Sequence, residues 1–259
     1  VYKRQVRVLF AALGLPIGDE QVVREKAVLM VQNDPVTRDK GPEHIAAYEW
    51  MQDYAASVIE ERRRHPRNDL ISHFAEADID GDRLDEQEVL LTTTTLIMAG
   101  VESLGGFMSM FALNMADFAD ARRQCVANPE LLRKAIEESL RYNTSAQRFK
   151  RCLTGDHTLH GQTMRQGDFV CLAFGSANRD ERRYPDADVY DLTRRTKGHL
   201  GFGGSVHLCL GTTIARMSVK LGMRAFHDVV PEYERVDDVL PWMPSSTFRS
   251  PMTLELTRV

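Results

Sequence analysis

Cysteine is scarce in this chain, and what there is lies scattered. Cys125, Cys152, Cys171 and Cys209 are the only four in 259 residues. They are too far apart to imply pairing, which suits a reducing cytoplasm. An excess of either charge is also missing. With 33 Lys and Arg against 37 Asp and Glu, the net charge is −4. That balance points to neither nucleic acid nor an acidic membrane surface as a partner. No internal repeat or low-complexity linker stands out. No signal-peptide pattern is present at Val1-Tyr2-Lys3-Arg4-Gln5. The opening lacks Met, so a start inside a longer protein is expected.

At 259 residues the chain can bury a sizeable core, as one large domain or two smaller ones. Residues 5–65 read as helices broken by turns at Gly14-Leu15-Pro16 and Asn33-Asp34-Pro35. From His44 to Arg63, Ile45, Ala46, Trp50, Tyr54, Val58 and Ile59 recur at helical spacing. The basic run Arg62-Arg63-Arg64-His65-Pro66-Arg67 reads as a solvated helix end, with cations near the negative pole of the dipole. Asp78-Ile79-Asp80-Gly81-Asp82 has part of a calcium-loop pattern. Aligned on Gly81, however, the first position is Glu76 and the twelfth is Gln87, so the bidentate acid is missing. The longest apolar stretch, Val89 to Ala116, has Glu102 as its one charge. Its length would cross a membrane. Four consecutive threonines (Thr92–Thr95), three glycines and the lone Glu suit a buried core helix better.

Asn128-Pro129-Glu130 opens a further helix with a capping side chain, an N1 proline and an acidic first turn, running to about Tyr142. Residues 151–175 alternate and turn at Gly155-Asp156, Gly161-Gln162 and Gln166-Gly167, as short strands do. Residues 184–196 read as irregular. A helix continues from Cys209 to about Val230, and Met252–Leu256 alternates like a strand. The expected architecture is one domain over residues 1–259, mainly α with a minor β-sheet.

The most informative segment is Phe202-Gly203-Gly204-Ser205-Val206-His207-Leu208-Cys209-Leu210-Gly211, running into the helical pattern Thr212–Met217. A cysteine stands where glycine-rich backbone meets a helix N-terminus. Free N–H groups and the helix dipole favour its thiolate there. Glycines let backbone approach something flat and bulky. A thiolate ligand to a cofactor metal fits. A small buried hydrophobe is the plainer reading. Half of a zinc site would need a second Cys/His pair at ligand spacing, which is missing. A phosphate cradle would need a following Gly-Lys-Ser/Thr, also missing.

This loop resembles the haem-binding signature of the cytochrome P450 family, the haem-thiolate monooxygenases. Phe202, His207, Cys209 and Gly211 match, and Ser205 stands where the family usually has Gly. Glu137-Glu138-Ser139-Leu140-Arg141 is similar to the family's Glu-x-x-Arg motif. Tyr190-Asp191-Leu192-Thr193-Arg194 is similar to the stretch that supplies its third member. Ala99-Gly100-Val101-Glu102-Ser103 resembles the oxygen-activating turn, with Ser103 in place of the usual Thr. On spacing alone, Glu138 and Arg141 make a surface ion pair of about 0.2–0.5 kcal/mol. Ser103 alone can bond back to a helical carbonyl, leaving Glu102 to solvent or an Arg.

The resemblance implies a P450 fold lacking its N-terminal portion, of the bacterial soluble type. It implies haem b (iron protoporphyrin IX) with Cys209 as axial ligand. Arg151, His199 and His207, with Arg148 as an addition, fall at propionate positions. Glu138, Arg141 and Arg194 anchor the Cys loop by charge-assisted hydrogen bonds. Glu102 and Ser103 relay protons, and Gly100 leaves room for oxygen. Substrate contacts fall at residues 96–103, 145–149 and 245–248. The implied activity inserts one atom of O2 into a small organic substrate, with electrons from a ferredoxin or flavin-containing reductase. The implied location is the cytoplasm, with neither membrane nor nucleic acid as partner. A catalytically incompetent haem-binding fragment and a peroxide-driven haem-thiolate enzyme are the alternatives.

Overall fold

The computed structural model describes residues 2–259, and side chains from Val6 onward. Val1, where the chain was expected to open mid-protein, lies outside the described residues. The chain divides into two compact units. The first comprises residues up to Met108 together with Pro244–Ser246, and the second comprises Ser109–Met243 with Thr247–Val259.

In the first unit, α1 (Tyr2–Leu13), α2 (Glu20–Val31), α3 (Pro42–Arg64) and α4 (Leu70–Glu76) precede a hairpin of β1 (Asp78–Ile79) and β2 (Asp82–Arg83). The long helix α5 (Glu86–Asp117) follows, and the boundary between units falls within it. The expected turns at Gly14 and Asn33 separate α1, α2 and α3. One core joins Phe10, Leu13, Val23, Ala27, Met51, Ala55, Ile71, Ile97 and Val101, all at most 2% exposed. α5 is the expected helix of residues 89–116. It is long and apolar enough to cross a membrane, but 61% of its most apolar stretch is buried within the protein.

One sequence reading changes here. Arg62 is not a solvated helix end, because it is only 2% exposed. Its Nε donates to Asp69 at 2.6 Å, and its other nitrogens reach Glu61 and the Gly14 carbonyl. Gly14 (φ 79°) ends α1, where any Cβ would strike the Asp69 carboxylate. The rest of the run, Arg63, Arg64, His65, Pro66 and Arg67, is exposed and keeps the solvated role. The Asp78–Asp82 turn is a two-residue hairpin with left-handed Asp80 (φ 57°) and Gly81 (φ 87°). The Asp78 carboxylate accepts from the Gly81 N–H and from Arg83.

The second unit continues with α6 (Ala119–Ala127) and α7 (Leu132–Tyr142). Then come β3 (Phe149–Cys152), β4 (His157–Leu159), β5 (Gln162–Met164), β6 (Phe169–Leu172) and α8 (Phe174–Ala177). After a long irregular stretch it ends with α9 (Thr212–Val229), β7 (Tyr233–Arg235) and β8 (Leu256–Arg258). Asn128 caps as expected, its Oδ1 accepting from Glu130 N–H at 3.2 Å, but Pro129–Leu131 forms a 3-10 turn before α7 proper. The strands form four small antiparallel pairs among the described residues, β1–β2, β3–β6, β4–β5 and β7–β8, the minor sheet content of the mainly helical fold that was expected. Each pair is only 2–4 residues long. The terminal strand also starts later than expected. A bridge from Trp242 to Pro251 and the Met252 N–H to the Pro241 carbonyl hold residues 251–252 elsewhere, so β8 begins at Leu256.

Candidate functional site

α7 positions a buried polar cluster in the second unit. Glu138 and Arg141, three residues apart, are both 0% exposed and joined by two hydrogen bonds of 2.8 and 2.7 Å. Arg141 also donates to the carbonyls of Asn178 (3.1 Å), Ala187 (2.8 Å) and Val189 (3.2 Å). Arg194 Nε reaches the same Glu138 oxygen at 3.3 Å, and the Asp191 N–H donates to it at 2.9 Å. Arg194 then holds the carbonyls of Pro185, Asp186 and Val189. The three residues expected together are therefore together. They grip residues 178–194 directly, where the sequence reading had them gripping the Cys loop. Irregular backbone at that depth leaves carbonyls without a regular partner, and here the buried guanidinium groups satisfy them.

Asn178 passes this order on. Its Oδ1 accepts from the Leu200 N–H at 2.7 Å and its Nδ2 donates to the Leu140 carbonyl at 3.3 Å. From Leu200 the chain enters the Cys loop. Gly203 (φ 68°) and Ser205 (φ 55°) both take left-handed backbone. For Ser205, where the family usually has Gly, that conformation costs about 1–2 kcal/mol. Residues 205–207 make a 3-10 turn, and the Cys209 N–H donates to the Phe202 carbonyl at 2.9 Å. Cys209 is exposed, and Gly211 caps α9 immediately after it. A Cβ at Gly211 would lie 3.8 Å from Cys209 Sγ.

The expected anion-binding residues part company. His207 is exposed. Arg151, on β3, donates to its neighbour's Lys150 carbonyl at 2.9 Å. His199 is already engaged by a carboxylate within the chain. Its Nδ1 accepts from the Gly201 N–H at 3.1 Å, so Nε2 carries the proton it donates to Glu137 at 3.0 Å. Glu137 also takes a fork from Arg216 on α9, at 2.6 and 3.0 Å. Burial opposes ionisation of Glu137, yet His199 and Arg216 hold its carboxyl down at about 2. The Arg216 guanidinium lies 4.7 Å from the centre of the Phe202 ring. Neither Glu137 nor Arg216 nor Asn178 was singled out from sequence. Only the side-by-side acids Glu137-Glu138 offered a signal.

In the first unit, α5 buries Glu102 to 4% exposure. Its Oε2 has no partner, and burial pushes the carboxyl up to about 7. So Glu102 meets neither solvent nor Arg. It can hold or release a proton near neutrality. The Ser103 hydroxyl donates back to the Ala99 carbonyl. Gly100 leaves no open space on its Cβ side, contrary to expectation. A Cβ there would sit 2.6 Å from Leu9 Cδ1, so this glycine serves close packing of α5 on α1. Of the three expected substrate segments, parts of two meet within the second unit. Ala146 bridges Phe248, Gln147 N–H donates to the Thr247 carbonyl, and Phe149 contacts Phe248 edge-on at 5.9 Å.

The loop fits a haem by the chemistry of its donor. Among the described residues no group of three His, Cys, Asp or Glu side chains could hold a metal between them. A lone thiolate suffices only for a metal that brings its own ligands, as porphyrin iron does. Around it Val206, Leu208 and Leu210 are 91, 59 and 77% exposed, an apolar surface suited to a large apolar plate.

A family model described as Cytochrome P450 matches residues 113–226. The chain is 32% identical to nocardicin C N-oxygenase of Nocardia uniformis subsp. tsuyamanensis over 97% of its own length and 63% of that protein's. It is 31% identical to the biotin biosynthesis cytochrome P450 of Bacillus subtilis (strain 168), over 96% of this chain and 64% of that one. It thus spans less than two thirds of these relatives. The ligand-free structure of cytochrome P450 TbtJ1 is similar with a TM-score of 0.87 and 30% identity, over 100% of this chain and 69% of that one.

Proposed function

The chain belongs to the cytochrome P450 family, and from that premise we propose that it carries the thiolate-ligating and proton-delivering parts of a monooxygenase. One observation carries the proposal: a solitary, exposed Cys209 whose backbone is pinned to Phe202 at the mouth of α9. The cofactor is haem b, which when bound activates O2 so that one atom enters a small organic substrate and the other leaves as water. Cys209 holds the iron as its thiolate. Arg151 and His207, both without a carboxylate partner among the described residues, bind the propionates. Glu102, poised near neutrality by burial, accepts and returns protons, and the Ser103 hydroxyl passes them on. Freeing that hydroxyl means exchanging its bond to Ala99 for one to water or ligand. The segments 145–149 and 245–248 contact substrate. Electrons come from a ferredoxin or a flavin-containing reductase. The protein works in the cytoplasm.

The test is the reduced carbon-monoxide difference spectrum of haem-loaded protein. Wild type should give the red-shifted thiolate band, and Cys209→Ser should lose it. A band that survives Cys209→Ser refutes the ligand assignment.

A further inference from the structure

We propose that Glu137 is a positioning residue, one carboxylate that clamps both flanks of the Cys209 loop. The proposal rests on the haem-thiolate reading for what the loop is for, and on contacts alone for the clamp.

Glu137 and Glu138 are neighbours on α7, so their side chains leave the helix about 100° apart. Glu138 faces residues 178–194. Glu137 faces the two ends of the loop. On the entering side is His199, 7% exposed, with a single tautomer fixed by the Gly201 N–H. On the leaving side is Arg216, engaged by both nitrogens of a planar fork. A fork of this kind fixes orientation as well as distance. What it orients is a guanidinium lying over Phe202 at 4.7 Å, while the His199 ring stands 6.3 Å from the same ring. Phe202 in turn supplies the carbonyl that receives the Cys209 N–H. The chain of contacts thus runs from Glu137 through Arg216 and Phe202 to the backbone of Cys209. A solvent-facing ion pair would lack this reach, and Glu137 is only 24% exposed.

Replacing Glu137 by Gln keeps the shape and removes the charge. Arg216 then loses its fork, regains rotamer freedom and leaves the Phe202 ring. Hydrogen exchange on the full 259-residue chain reads this without haem. Peptides covering residues 199–211 should exchange at least tenfold faster in Glu137→Gln, while peptides from α3 and α7 keep wild-type rates. Arg216→Lys should give the same local loosening, and the double variant should add little further. In haem-loaded Glu137→Gln protein, the thiolate band should lose intensity to the blue-shifted band of a protonated or displaced thiol. Unchanged exchange over residues 199–211 overturns the clamp. So does acceleration spread evenly over all peptides, which would make Glu137 an ordinary stabilising residue. A thiolate band that survives Cys209→Ser refutes the haem reading instead, and leaves the exchange result standing.

Discussion

Removing Arg141 should cost more than any other single truncation in the second unit, and the amount can be worked from its contacts. The side chain is wholly buried and makes five hydrogen bonds, two to Glu138 and one each to Asn178, Ala187 and Val189. Arg141→Ala leaves Glu138 as a buried carboxylate with only Arg194 at 3.3 Å and the Asp191 N–H at 2.9 Å. Breaking one partner of a buried pair costs about 3–5 kcal/mol. The orphaned carbonyls of Asn178 and Ala187 add about 1–3 kcal/mol each. Val189 keeps a bond from Arg194 at 3.2 Å, so its share is small. These costs overlap because the groups share one network. A floor of about 4 kcal/mol is the fair figure, against a total stability of about 5–15 kcal/mol for a domain. Arg141→Ala should therefore yield little soluble chain, and what survives should unfold at much lower urea. Arg141→Lys keeps the charge but loses the fork and most carbonyl bonds, and should recover only a minor part. Urea melts followed by circular dichroism make the comparison. An Arg141→Ala midpoint within error of wild type would refute the account of residues 178–194 as backbone held in place by buried cations.

The remaining predictions concern α5. Burial raises the Glu102 carboxyl from 4.5 to about 7, so the folded state holds its proton more tightly than the unfolded state. This contribution is fully present below about pH 4.5 and is lost as pH rises through about 7. Its size is about 3 kcal/mol at one pKa unit per 1.36 kcal/mol. Glu102→Gln should abolish that slope and be the more stable protein at pH 8. The same change in urea midpoint between pH 5 and pH 8 in wild type and Glu102→Gln would refute the raised pKa. Gly100→Ala brings a Cβ to 2.6 Å from Leu9. Overpacking costs about 1–3 kcal/mol, and a helix-propensity gain of about 1 kcal/mol offsets part of it. A net loss of about 1 kcal/mol should follow, and adding Leu9→Ala should couple favourably with it. Additive effects in that cycle would show that the two residues do not touch.

What could be read from the sequence was local. Periodicity finds α3, an unbroken apolar stretch finds α5, and the run Asn128-Pro129-Glu130 marks the turn that starts α7, because caps and apolar patterning act within a few residues. The family resemblance places Glu138, Arg141 and Arg194 together, whereas spacing alone offers only a surface ion pair between the first two. What could not be read depended on contacts between distant segments. Arg62 looks like part of a solvated basic run until Asp69 and the end of α1 close over it. His199 looks like a ligand for a cofactor's carboxylate until α7 presents its own carboxylate, Glu137, to it. Gly100 looks like a vacancy until Leu9 fills it. In each case residue type states a need for a partner, and only the fold decides which partner meets it.

That distinction explains why two adjacent acids on α7 have different fates. Nothing in Glu137-Glu138 separates them by chemistry. The helix turns them about 100° apart, and each meets a different pair of hydrogen-bond donors, Arg141 and Arg194 for Glu138, His199 and Arg216 for Glu137. Glu138, with Arg141 and Arg194, fixes backbone that has no regular partner. Glu137, with His199 and Arg216, fixes the approach to Cys209 and the departure from it. The loop's own backbone hydrogen bonds, from Gly203 to Leu200, His207 to Gly204, Leu208 to Ser205 and Cys209 to Phe202, all stay within the loop and tie it to no other element. A thiolate placed on so permissive a loop needs its order supplied from outside, and the Glu137 side of α7 is where the contacts to both flanks converge.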